Sequence, residues 1–426
     1  MATILPPDTS AGLNAWLNYL EQLHPSAIDM GLDRVRTVAE RLNLTTTNAH
    51  VFTVAGTNGK GSTVRYLETI LRQAGYQTGV YISPHLYVYN ERVRINGGML
   101  NDAEHVNAFA AIDQARGDIS LTYFEFGTLA ALYLMQQRPL DAWILEVGLG
   151  GRLDAVNIID ADVALLTSVG IDHVGFLGSD RTGIAREKSG IFRAHKPAIC
   201  GEPDFPAEVR QAALDKGVLL QQVGRDFHYR LTGANLWQFR NRDTVLNNLP
   251  LPQLPLPNAA TAIAAIAASD LPVSDAAIRQ GLEQAREPGR LQYVPATAQH
   301  PVDTLLDVAH NPHAAHFLTQ AIALRYPKRP VYAVVGMLHD KDIAGTLAAL
   351  APMVTRWYFA SLSQPRGASA EQLREQAPAA TDVAGCFTDV TTAYAQAQQD
   401  AARHSAQSLV LVCGSFYTVG KITTTE

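Results

Sequence analysis

Val51-Phe-Thr-Val-Ala-Gly-Thr-Asn-Gly-Lys-Gly-Ser-Thr63 is an apolar run that breaks into a glycine-rich turn carrying a lysine and hydroxyls. The helix-compatible stretch Val64 to Ala74 follows it. A strand feeding such a turn aims backbone N–H groups and a helix N-terminus at one anion, so the segment predicts a phosphate cradle. Gly56, Gly59 and Gly61 permit close backbone approach, Lys60 supplies a mobile charge, and Ser62 and Thr63 offer hydroxyls to an anion or a cation. The spacing is not that of a standard Walker A loop, whose first glycine would fall at Val54.

Working outward, short apolar runs alternate with helical patterns between residues 50 and 200: His50 to Ala55, Thr78 to Ile82, Ala142 to Val147, Asp162 to Val169 and Pro197 to Cys200. They lack period-two alternation, as strands covered on both faces do, and predict a mostly parallel α/β sheet. Helices are expected over Asn258 to Ser269 and Asp275 to Arg286, the second capped by Ser274. The proline-rich Leu249 to Pro257 reads as an extended connector. Glu287-Pro-Gly-Arg290 stops the preceding helix and marks a boundary between residues 1–287 and 288–426. Beyond it strands are expected at Thr304 to Val308, Val331 to Val335, Trp357 to Ala360 and Ser408 to Cys413. Helices are expected from Pro312, Lys341 and Ala370, giving a second, smaller α/β domain.

The chain has 426 residues, 47% hydrophobic and 17% charged, with a formal net charge of −6, which suits a two-domain globular enzyme and argues against broad nucleic-acid binding. Cys200, Cys386 and Cys413 are far apart and form no Cys-x-x-Cys pair, so neither a disulfide framework nor a zinc site is expected. Met1 to Ser10 lacks a signal-peptide pattern and no apolar run is long enough to span a bilayer, so a cytoplasmic location is expected, with no membrane partner. Gly148-Leu-Gly-Gly-Arg-Leu153 is a poor dinucleotide fingerprint, since Leu153 replaces the last small residue.

Glu146 ends a buried strand, where open parallel sheets present ligands, and a lone acid there suits magnesium. Ser83-Pro-His85 and Asp172-His173 follow two other strands and point toward the same sheet edge.

Taken together, Gly56 to Ser62, Thr78 to Leu86, Glu146 to Ala155, Asp172-His173, Arg186 to Ile191 and Asp307-Val-Ala-His-Asn-Pro312 resemble, in this order, the folylpolyglutamate synthases of the Mur ligase superfamily. Leu23-His24, Ile28 to Val35 and Leu121 to Gly127 are similar to the branch that is also a dihydrofolate synthase. The resemblance implies an N-terminal P-loop ATPase-like domain and a smaller C-terminal Rossmann-like domain. It implies an ATP-dependent amide ligase that adds L-glutamate to dihydropteroate and to reduced folates through an acyl phosphate. In that reading Thr57, Asn58, Gly59, Lys60, Gly61 and Ser62 hold the ATP phosphates. Asn258 contacts adenine, Arg290 the phosphates and Asp307 the ribose. Ser83, Glu146 and His173 bind one Mg2+, and Lys188, carbamylated, binds a second. His310 and Ser415 lie near the acyl phosphate and the incoming glutamate. Ile28, Asp29, the run Thr122, Tyr123, Phe124 and Glu125, and Leu153, Asp154 and Ala155 form the dihydropteroate pocket. Phe124 would stack on the pterin and Asp154 accept its N–H groups. A monomer is expected. A monofunctional folylpolyglutamate synthase, a muramyl ligase and a nucleotide switch that makes no amide are the alternatives.

Overall fold

The computed structural model describes residues 5–422, so the reading of residues 1–10 falls partly outside it. The chain divides into two compact units, Met1–Ala285 and Arg286–Glu426. The first is built on strands β1 (His50–Ala55), β2 (Thr78–Tyr81), β3 (Val93–Ile95), β4 (Gly98–Met99), β5 (Ala142–Glu146), β6 (Val163–Leu166), β7 (Pro197–Cys200) and β8 (Leu219–Gln222). They form one sheet in the order β4-β3-β2-β5-β1-β6-β7-β8, in which only the β2–β3 and β3–β4 pairs are antiparallel.

Side chains along each strand alternate between two covered faces, which is why the sequence shows no polar alternation. Val51, Trp143 and Leu145 pack with Trp16, Phe109 and Phe126 from helices Leu13–Gln22, Asp102–Arg116 and Tyr123–Gln136. Phe52, Val54 and Ile144 face the other way, against Leu67 and Ile70 of helix Lys60–Gln73 and Ile263 of helix Leu256–Ala267. The central register sets Val54 opposite both Glu146 and Leu165, so neighbouring strands end level and their loops emerge along one edge.

Several boundaries differ from the sequence expectation for local reasons. The helix after the phosphate turn starts at Lys60, not Val64, because Gly59 takes the left-handed conformation (φ +87°) and lets the chain enter the helix directly. The expected Asn258 helix starts at Leu256, since Pro257 fits its first turn. The helix expected from Lys341 starts at Ile343, where Asp342 caps the N–H of Gly345. Residues 228–250 form a three-stranded antiparallel sheet that the sequence reading missed: β9 (His228–Leu231), β10 (Leu236–Arg240) and β11 (Val245–Pro250). Ser274 caps Asp275–Gln284 as expected.

The second unit holds β12 (Gln292–Val294), β13 (Thr304–Asp307), β14 (Val331–Val335), β15 (Val354–Ala360), β16 (Val383–Phe387) and β17 (Leu409–Cys413). Their order is β12-β13-β17-β14-β15-β16, with β12 alone antiparallel. Cys413 is fully buried at the end of β17, as core. Among the described residues no helix is long and apolar enough to cross a membrane.

Candidate active site

The turn after β1 is braced from below by the segment after β6. The N–H of Thr57 donates to the carbonyl of Ser168 (2.9 Å), the N–H of Asn58 to Ser168 Oγ (3.0 Å), and the hydroxyl of Thr167 to the carbonyl of Asn58 (2.6 Å). Two glycines are required by close approach. A Cβ on Gly56 would collide with Thr167 Oγ1, and one on Gly59 would lie 2.5 Å from the Asn258 amide oxygen. Asn258, buried in the first turn of its helix, is thereby placed directly against the phosphate turn. Lys60 Nζ donates to the carbonyls of Gly56 (2.9 Å) and Thr57 (3.4 Å), so its charge lies folded over the loop. The hydroxyl of Thr63 donates to the carbonyl of Gly59 (2.9 Å) within its own helix, which leaves its oxygen lone pairs as acceptors.

Glu146 is buried at the end of β5 and accepts the N–H of Ser83 at 3.4 Å; its Oε2 lies 4.0 Å from the Cβ position of Gly61. A carboxylate, a serine and the start of the phosphate helix therefore share one spot. His173 sits beyond β6 with an exposed side chain and positive φ (+52°), its N–H held by the Asp172 carboxylate (2.8 Å). Among the described residues no three His, Cys, Asp or Glu side chains cluster as a metal site. The oxygen-rich pair of Ser83 and Glu146 suits a hard cation.

Lys188 ends the helix Arg181–Lys188 and is 5% exposed. Burial, and next the charge of Lys60, bring its ammonium down from 10.5 to about 7, while Asp172 and Asp154 oppose the shift. The loop 148–154 holds it in place: a Cβ on Gly151 would lie 2.7 Å from the Lys188 carbonyl, and the N–H of Arg152 donates to the carbonyl of Glu187 (2.9 Å).

The same loop packs beneath Phe124, one of the residues expected at the pterin. The half-buried ring of Phe124 lies over Gly148, where a Cβ would come within 2.6 Å of it. Met30 and Leu177 both lie 3.3 Å from the Cβ position of Gly150. Asp154 is buried and accepts N–H bonds from Leu149 (2.8 Å) and Val156 (3.0 Å), and burial raises its carboxyl to about 6. Each carboxylate oxygen has a second lone pair, so a pterin N–H remains within its capacity. Thr122 and Glu125 form a reciprocal cap on helix Tyr123–Gln136, a T-x-x-E signal that the sequence reading overlooked. Leu153 and Tyr123 are half-buried, Ala155 is buried and Ile28 is exposed.

In the second unit the Asp307 carboxylate accepts the N–H groups of Leu291 and Ala309 (2.9 Å each); burial pushes its carboxyl up and Arg290 draws it down. The guanidinium of Arg290 lies 4.8 Å from the Phe416 ring centre, a partner not foreseen from sequence. His310 Nδ1 donates to the carbonyl of Val308 (2.9 Å), which makes Nε2 the acceptor nitrogen when the ring is neutral. Ser415 caps the turn Phe416–Val419, accepting the N–H of Tyr417 (3.1 Å). Asp307 and Cys413 are register partners, so residues 307–310 and 414–415 leave one sheet edge side by side.

Residues 54–244 match the Mur ligase middle domain, and residues 289–416 match the Mur ligase glutamate ligase domain. The chain is 53% identical over 416 residues to the dihydrofolate synthase/folylpolyglutamate synthase of Escherichia coli K12, covering 98% of this chain and 96% of that one. The solved structure of E. coli FolC in complex with DHPP and ADP superposes with a TM-score of 0.92 at 53% identity, over 97% of both chains. A bifunctional folylpolyglutamate synthase/dihydrofolate synthase with Mn, AMPPNP and L-glutamate bound gives 0.90 at 52% identity, over 98% of both.

Proposed function

The chain belongs to the Mur ligase family, in its dihydrofolate synthase/folylpolyglutamate synthase branch, and from that premise we propose how its residues divide the work. The reaction is ATP-dependent amide formation: L-glutamate is added to dihydropteroate, giving dihydrofolate, and to reduced folates, giving folylpolyglutamates.

The observation that carries the site assignment is the loop 146–155. Its first residue, Glu146, lies at the start of the phosphate helix, and its Gly148 lies under Phe124. One short segment thus runs from the residue beside the phosphate turn to the residue beneath Phe124. Phe124 and Asp154 orient the pterin by stacking and by accepting its N–H groups. The turn Thr57 to Ser62 and Lys60 orient the triphosphate and spread the charge of the transferring group, and catalysis of phosphoryl transfer consists mostly of such positioning and charge stabilisation. Asn258 reads the adenine, Asp307 the ribose, and Arg290 the phosphates.

One magnesium held by Ser83, Glu146 and His173, and a second held by carbamylated Lys188, would supply further neutralisation of the phosphoryl oxygens. Lys188 supports this reading because its amine is half neutral near pH 7, the form that adds to carbon dioxide with loss of a proton. The carboxylate oxygen attacks the γ-phosphorus and ADP leaves. The neutral amine of glutamate then attacks the acyl carbon, phosphate departs, and the amine sheds a proton. His310 Nε2 and the Ser415 hydroxyl are the groups assigned to receive that amine.

The test is phosphate release from ATP in the presence of glutamate, with dihydropteroate or tetrahydrofolate as acceptor. Acceptor- and glutamate-dependent release with both is expected. Release with tetrahydrofolate alone would reduce the enzyme to a monofunctional synthase, and glutamate-independent turnover would favour a nucleotide switch.

A further inference from the structure

The two walls of the pterin pocket come from segments far apart in sequence. Residues 24–32 lie outside any helix or strand, and Met30 rests on Gly150; Phe124 opens the helix Tyr123–Gln136 and rests on Gly148. One side chain ties them together. Arg34, at the start of helix Asp33–Arg41, donates from Nη1 to Asp29 Oδ2 (2.6 Å) and from Nη2 to the Asp29 carbonyl (2.9 Å) and to Glu125 Oε1 (3.1 Å). The other oxygen of Glu125 accepts the N–H of Thr122 (2.8 Å), so the same carboxylate fixes the turn that carries Phe124. Arg34 Nε is buried and has no hydrogen-bond partner among the described residues, so the fork is held by its two carboxylates at the cost of an unsatisfied donor.

We propose that Arg34 is a positioning residue of the dihydropteroate site, a strut that holds the Ile28–Met30 wall at a fixed separation from Phe124. This rests on the proposed reading of that pocket. The Asp29 side chain is 41% exposed, and ion pairs with an exposed partner add little to stability. Nothing regular in the backbone fixes residues 24–32; the His24 ring lies 3.4 Å from the same Asp29 oxygen but belongs to that wall, so the guanidinium fork is what joins the wall to Glu125. The planar fork is essential, because a lysine ammonium can satisfy Asp29 or Glu125 but cannot bridge both in one plane.

The experiment compares full-length wild type, Arg34→Met and Arg34→Lys for the KM of dihydropteroate, the KM of ATP, kcat and Tm. A displaced wall should raise the dihydropteroate KM roughly tenfold or more in Arg34→Met and less in Arg34→Lys, with the ATP KM within about twofold of wild type. A merely stabilising arginine would lower Tm and the active fraction, hence kcat, without moving that KM. If Arg34→Met does not fold, Arg34→Lys decides. A folded variant whose dihydropteroate KM stays within about twofold of wild type overturns the strut. A wild type that does not turn over dihydropteroate would instead remove the pocket reading on which the strut depends.

Discussion

Replacing Lys188 with Met tests the least ordinary group in the molecule. An unperturbed lysine at pH 7.5 is only about 0.1% neutral, whereas one brought down to about 7 is roughly three-quarters neutral. That difference, several hundredfold, is what makes carbamate formation feasible at this position. At pH 6 the neutral fraction drops to about a tenth, so at a fixed concentration of dissolved carbon dioxide a depleted enzyme should regain activity much faster at pH 7.5 than at pH 6. Stability carries an independent sign. The folded pKa lies below the unfolded 10.5, so between about 7 and 10.5 the unfolded chain binds more protons and stability rises with pH. Below pH 7 the folded state bears the full penalty of a buried ammonium, on the order of 5 kcal/mol at most. Lys188→Met should therefore raise the Tm of the depleted enzyme at pH 6, gain less at pH 9, and be nearly inactive at both. Carbon-13 bicarbonate should give wild type, but not the variant, a carbamate carbonyl resonance. A fully active Lys188→Met protein, or a wild type that shows no such resonance, would refute the reasoning.

Lys60→Ala should lower kcat by at least about a hundredfold while Tm changes by only a few degrees, since Lys60 donates to loop carbonyls and its charge acts in the transition state; near-normal turnover in the folded variant would remove the phosphate-turn assignment. Phe124→Ala should raise the dihydropteroate KM roughly tenfold with little change for ATP, and unchanged kinetics would take Phe124 out of the pocket. Asp154 offers both oxygens as charged acceptors to pterin N–H groups only when ionised, and its carboxyl sits at about 6, so the dihydropteroate KM should rise as pH falls through that value. Asp154→Asn should lose this pH dependence; a KM that is flat across it in wild type contradicts the role.

The parallel sheet was legible because strands covered on both faces leave continuous apolar runs, and β1 and β7 emerged with the expected ends. The phosphate turn was legible because only glycine fits where Gly56 meets Thr167 and Gly59 meets Asn258. Residues 228–250 were not, since Leu236-Trp-Gln-Phe-Arg240 sends alternate side chains to the core in too short a run to stand out, although Thr232-Gly-Ala-Asn235 and Asn241-Arg-Asp-Thr244 flank it with turn residues. The capping box from Thr122 to Glu125 was hidden within a motif read for its aromatic residue. Long-range partners leave no local trace at all: Thr167 and Ser168 brace a loop more than a hundred residues earlier in the chain, and Arg34 reaches Glu125. Phe416 beneath Arg290 is of the same kind.

The central claim is that this chain activates the dihydropteroate carboxylate with ATP and passes it to glutamate. Dihydropteroate labelled with oxygen-18 in both carboxylate oxygens, incubated with enzyme, ATP, magnesium and glutamate, tests it by mass spectrometry of both products. Formation of dihydrofolate with one labelled oxygen in the amide and the other in the released phosphate is the predicted result. Unlabelled phosphate, or ATP turnover without dihydrofolate, would contradict it.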